Sequence, residues 1–189
     1  MLKDILLPRK MYNSPEHKMM REMIVEFIES DMLPFQEEWE KNQMVPRELW
    51  TKAGKLGLLC LDIPEKYGGS GLDFSFSALL IEELGKKGIS GPGFFLHSDI
   101  VAPYLLKYGT ENQKSKYLPL MASGEIITAI GMTEPNCGSD LKAIKTTAQD
   151  CGDYYLVNGQ KTFITNGFMC DMVIVAVKTN KNTENEDVS

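Results

Sequence analysis

The hydrophobic period changes once along this chain, and that change fixes the class of fold open to it. Up to about Gly124 the apolar residues recur every three or four positions, the repeat of helices with one buried face; beyond it, short runs rich in β-branched and aromatic residues read as strands. The expected fold is therefore α+β: a helical domain over residues 1–124, then a partial, antiparallel, barrel-like β-domain over 125–189. Helix starts are written locally. Ser14-Pro15-Glu16 has an N-cap residue followed by proline at the first helical position, and Met20, Met23, Ile24, Phe27 and Ile28 then form one stripe that should end before Pro34. A short charged helix is expected around 37–41, a third from Pro46 to a stop at Gly57, a fourth over 74–87, and a fifth over 94–107 that is broken or bent at Pro103. Thr110 and Gln113 have capping-box spacing and open a helix toward Met121. In the second half, strands are expected over 126–132, 144–149, 154–157, 160–165 and 172–178. Asn158-Gly159 tolerates positive φ at both residues and predicts a hairpin pairing 154–157 with 160–165. The strand 172–178 is expected to be left with an open edge, and the polar tail 179–189 cannot bury itself.

Composition narrows the function classes. The formal charge is −6, with basic residues scattered among acids and no Lys/Arg run, so nucleic acid is not an expected partner. The longest apolar stretches, 56–61 and 172–177, fall far short of the ~20 residues that span a bilayer. Cys60, Cys137, Cys151 and Cys170 form no Cys-x-x-Cys pair, and only His17 and His97 could complete a metal site, so neither zinc nor a disulfide framework is expected. The first eleven residues have Pro8 inside any apolar core and lack the character of a transit peptide. A reducing, intracellular compartment follows: cytoplasmic, or the mitochondrial matrix in a eukaryote.

Two motifs carry chemistry. Met132-Thr133-Glu134-Pro135-Asn136-Cys137-Gly138-Ser139-Asp140 reads as a strand end running into a tight loop of small residues, which aims N–H groups and hydroxyls outward or is simply an exposed turn. Val157-Asn158-Gly159-Gln160-Lys161-Thr162-Phe163-Ile164-Thr165-Asn166-Gly167 follows it. Together, in this order, they resemble the acyl-CoA dehydrogenase family, whose middle domain carries a Thr-Glu-Pro-x-x-Gly-Ser-Asp loop and an Asn-Gly-x-Lys-x-Trp/Phe-Ile-Thr/Ser-Asn-Gly segment. Gly57-Leu58, Pro64-Glu65, Tyr67-Gly68-Gly69, Gly109 and Pro119 extend the resemblance through the helical half.

The resemblance implies FAD as cofactor and α,β-dehydrogenation of a fatty acyl-CoA to a trans-2-enoyl-CoA, a carboxylate taking the α-proton while hydride leaves to flavin N5. Ile130, Met132, Thr133, Gly138 and Ser139 would neighbour the flavin, with Thr133 as hydrogen-bond donor and Ser139 also facing the acyl-CoA. Phe163 would pack on the ring where many members have tryptophan, beside Ile164, and Thr165 would bring its hydroxyl near N5. The family's base is a glutamate in a C-terminal helical domain; no catalytic residue is assigned here, and neither Glu125 nor Glu134 matches that position. The resemblance further implies an electron-transfer flavoprotein as acceptor and a homotetramer when full length, with this chain as a truncated part. Segment 90–98 resembles long-chain members at the floor of the acyl pocket: Gly91 and Pro92, with Phe95, either leave room for a long tail or are the turn that starts a helix. A non-catalytic acyl-CoA or flavin-binding module on the same fold is the alternative, and an acyl-CoA oxidase a second. Gly69-Ser70-Gly71 lacks the third glycine of a dinucleotide fingerprint and reads as a loop before a helix; Ser139 lacks a nucleophile elbow.

Overall fold

The computed structural model describes residues 13–179, so the expectations for the first eleven residues and for most of the tail lie outside the described residues. The chain forms two compact units that divide between Ile126 and Ile127.

The first unit is helical. Helix α1, Pro15–Asp31, starts where the Ser14 side chain accepts the His17 N–H, and it buries Ile24, Phe27 and Ile28. A 3₁₀ turn at Leu33–Phe35 absorbs Pro34 and leads to α2, Gln36–Asn42. Helix α3, Arg47–Lys55, buries Leu49, Trp50 and Ala53 and stops at Gly57, whose φ of +67° lets the Leu58 N–H reach back to Ala53 O. Helix α4, Phe74–Lys86, is capped by Asp73 and packs on α1, with Arg21 of α1 paired to the buried Glu83. The bend expected at Pro103 is a π-helical turn, Leu96–Val101, running into α5, Ala102–Tyr108. Proline has no N–H for the carbonyl four residues back, and the turn widens: the Ala102 N–H bonds His97 O, five residues earlier. Helix α6, Glu111–Ala122, opens on the reciprocal Thr110–Gln113 capping box. Trp50 is the core's centre, edge-on to Phe94 (centroids 4.8 Å, 87°) and to His97 (5.2 Å, 70°). After α6 the backbone passes so close to α3 that a Cβ on Gly124 would run into Trp50 O.

Among the described residues, the second unit holds five short strands in two sheets. Strand β1, Thr128–Gly131, pairs in parallel with β4, Met172–Val175. Strand β2, Thr147–Asp150, lies between β3, Tyr155–Asn158, antiparallel to it, and β5, Lys178–Thr179, parallel to it. The ladders are thus mixed rather than purely antiparallel. Two expectations are corrected. The hairpin is β2–β3, closed through Cys151 and Tyr154, whereas residues 160–165 are not a strand; Gly159 instead passes over Thr146, where any side chain would collide with the threonine. The run 172–178 is two strands, not one, because its two ends join different sheets.

Candidate functional site

The two sequence motifs meet in the second unit. Strand β1 carries Ile130 and hands over to Met132 and Thr133; the Thr162 N–H then donates to Thr133 O at 2.9 Å, tying the second motif to the first. Beyond Thr133, Glu134 and Cys137 exchange backbone bonds (N···O 2.9 and 3.1 Å) around Pro135-Asn136, a tight turn that presents Gly138 and Ser139 to solvent. A Cβ added at Gly138 would meet nothing within 4 Å, so the glycine leaves the approach to this loop open. Past Thr162 the backbone takes positive φ at Phe163 (+55°) and Asn166 (+62°), conformations a phenylalanine adopts only when its surroundings hold it there. Asn166 donates from Nδ2 to Thr128 O at 3.0 Å, anchoring the turn that closes with Gly167 N–H to Ile164 O at 2.9 Å. Phe163 is held outward, 92% exposed, and Thr165 is exposed beside a half-buried Ile164.

Glu134 is the organising group, one that sequence reasoning left without a role. It is 4% exposed and accepts four bonds: from the Thr146 hydroxyl (2.5 Å), the N–H groups of Lys145 (2.7 Å) and Thr146 (2.9 Å), and Lys161 Nζ (2.9 Å). The Thr146 hydroxyl above all, with these other donors, holds its carboxyl down at about 2. Lys161 also donates to Met132 O at 2.9 Å, and Gly131 makes room for its stem: a Cβ there would lie 3.3 Å from Lys161 Cγ. One ammonium therefore staples both motifs. The signal available in the sequence was the lysine inside the second motif. A carboxylate so engaged is a poor proton acceptor at neutral pH, and Glu125 is exposed in the first unit, where its Oε1 accepts the Ser123 hydroxyl at 3.1 Å.

The remaining candidates lie in the first unit. Gly91 is exposed, with Val45 Cγ2 3.2 Å from where its Cβ would be; Pro92 is buried, and Phe95 is half-exposed at the start of the π-helical turn. The cleft between α4 and that turn has a volume of about 10 Å³, room for a single water rather than a long tail. Among the described residues no group of three or more His, Cys, Asp or Glu could hold a metal ion, all four cysteines are free, and no helix is long and apolar enough to cross a membrane.

An aromatic side chain is fixed outward in a strained conformation, and next to it runs a loop of exposed N–H and hydroxyl groups on a rigid strand end. Comparison with known proteins agrees in family. Residues 14–125 match the model of the acyl-CoA dehydrogenase N-terminal domain, and residues 129–189 match that of the middle domain. The long-chain specific acyl-CoA dehydrogenase of Rattus norvegicus mitochondria is 47% identical over 173 residues, 92% of this chain and 40% of that protein. An acyl-CoA dehydrogenase structure from Geobacillus kaustophilus superimposes with a TM-score of 0.88 at 50% identity, covering 93% of this chain and 46% of that one. A glutaryl-CoA dehydrogenase from Mycobacterium smegmatis, in complex with FADH2, does so at 0.80 and 28% identity, over 94% and 44%. The chain spans less than half the length of these relatives; across both of its units it belongs to the acyl-CoA dehydrogenase family.

Proposed function

We propose that this chain supplies the flavin-contact half of an FAD-dependent acyl-CoA dehydrogenase acting on a fatty acyl-CoA. The observation that carries the reading is the Thr162–Thr133 bond, which joins the two motifs into one surface with Phe163 held outward from it. FAD, when bound, accepts the β-hydrogen of the acyl group as hydride. This chain's own residues bind and orient. Phe163 offers its ring face, flanked by Ile164 and Thr165; Ile130 and Met132 line the strand end; the Thr133 hydroxyl, Gly138 and Ser139 border the polar edge, and Ser139 also faces the acyl-CoA. Gly91, Pro92 and Phe95 belong to the acyl side. The base comes from outside these residues, since Glu134 is committed to four donors. The whole enzyme is a homo-oligomer that passes its electrons to an electron-transfer flavoprotein.

The test is the visible absorbance spectrum of the purified protein, taken anaerobically with added FAD and then with a long-chain acyl-CoA. A bound-flavin band that bleaches establishes both binding and turnover. A band that persists while shifting with acyl-CoA favours the binding module without turnover. Protein that takes up no FAD rejects the reading.

A further inference from the structure

Backbone N–H groups out of bulk water are paired almost without exception, so one that is not marks a place where an acceptor belongs. The stretch from Met132 to Cys137 has such a donor. Met132 O accepts Lys161 Nζ at 2.9 Å, Thr133 O accepts the Thr162 N–H at 2.9 Å, and the Glu134 N–H donates to Cys137 O at 2.9 Å. The N–H of half-buried Thr133 has no partner among the described residues. A peptide unit is planar, with its C=O and N–H pointing opposite ways, so whatever fixes Met132 O also fixes the direction of the Thr133 N–H. Lys161 does this. Its ammonium is shared between Met132 O and Glu134 Oε1, each at 2.9 Å, and the lysine and glutamate side chains are only 12% and 2% exposed, so salt screens the pair little. Glu134 is held in turn by the Thr146 hydroxyl and by the Lys145 and Thr146 amides, and it stays ionised well below neutral pH.

We propose that Lys161 is a positioning residue for the flavin: it holds the Met132–Thr133 peptide so that the Thr133 N–H stands ready for an acceptor on the edge of the ring. The inference deepens the flavin reading and rests on it. The flavin ring carries carbonyl oxygens and ring nitrogens that accept hydrogen bonds, and a donor whose direction is set beforehand loses no orientational freedom when the ring arrives. Lys161 acts through Met132 O and not by contact with the ring. A lysine suits this task because one ammonium has donors for both acceptors. An uncharged side chain of equal length would leave Met132 O unpaired and a buried carboxylate without its counter-charge. Gly131 belongs to the same arrangement, since a side chain there would crowd the lysine stem, its Cβ lying 3.3 Å from Lys161 Cγ.

The experiment sets FAD affinity, read by titration of the flavin absorbance, beside amide hydrogen exchange resolved to single residues. In the native protein, FAD is expected to slow exchange of the Thr133 amide at least about 10-fold. Lys161→Met should weaken FAD binding at least about 10-fold and, at saturating FAD, leave the Thr133 amide exchanging as it does without FAD. Lys161→Arg, which keeps the charge and the donors, should recover most of the affinity. Ala148→Gly lies in β2, outside both motifs, and weakens the same unit without touching Met132 O; its FAD affinity should stay within about 3-fold of native. Native affinity in Lys161→Met overturns the positioning role. So does a Thr133 amide that FAD protects equally in that variant, or an affinity loss in Ala148→Gly that tracks its loss of stability. Should Lys161→Met fail to fold, the native protein still decides: bound FAD that leaves the Thr133 amide exchanging freely overturns the inference while the flavin reading stands. If the native protein takes up no FAD, the flavin reading falls and the inference with it.

Discussion

His97 shows how far one side chain can depart from its solution behaviour when a core closes around it. It is fully buried beside Trp50, with Nε2 3.0 Å from Met121 O, and burial pulls its pKa down to about 4 against the opposing effect of that carbonyl. The folded chain therefore holds a neutral imidazole that the unfolded chain protonates near 6.5, so folding stability falls as pH drops from about 6.5 toward 4. Chemical denaturation across that range should show the slope in the native protein and lose it in His97→Gln. Glu134 behaves in the opposite chemical sense with the same sign. Its folded pKa lies below the unfolded value, so its stabilisation is present above about 4.5 and is lost as pH falls toward 2. Glu134→Gln should remove that acid-sensitive component. It should also speed exchange of the Lys145 and Thr146 amides, which now donate to the carboxylate.

At the scale of elements, the starts and stops of the helices are set by contacts that span few residues. Thr110→Ala removes one half of the capping box and should cost about 1 kcal/mol in denaturant unfolding. Trp50→Ala, at the centre of the core, should cost about 3–5 kcal/mol. The same locality explains what could be read in advance. The Ser14 cap, the Gly57 stop and the Thr110–Gln113 box each depend on residues within one or two turns, and each stands where the sequence placed it; at Pro103 the helix continues, and the irregularity is the π-helical turn ahead of it. The second unit was less legible. Asn158-Gly159 has the composition of a two-residue hairpin, but Gly159 is required by its approach to Thr146, a neighbour that local turn rules do not see. The single expected strand over 172–178 is cut by two partners, β1 and β2, drawn from different parts of the chain. Of the candidate site, the two motifs were visible as strings of residues. That Lys161 links them, through Met132 O and Glu134, depends on Gly131 lying beneath its stem, a tertiary fact.

For the molecule as a whole, the exposed aromatic residues of the second unit separate stability from function. Phe168 is 95% exposed, and Phe168→Ser should leave the unfolding free energy within ~0.5 kcal/mol of the native value. Phe163→Ser removes an equally exposed ring while keeping a Cβ at the same positive φ, so any fall in FAD uptake measured for that variant reports the lost ring and not a weakened fold. The ladder between β1 and β4 carries a consequence of a different kind. Ile127, just before β1, donates its N–H to Asp171 Oδ2, which stands 44 residues further along, at the start of β4. At a ribosomal pace of 5–20 residues per second, the first edge of that sheet waits roughly 2–9 s for its partner to be made. Helix α6 meanwhile completes its own hydrogen bonds as it is synthesised. During biosynthesis, then, the molecule is a finished helical unit trailing an unclosed apolar strand, and the seconds before Met172 is made are the interval in which it is most open to capture by a chaperone or by another nascent chain.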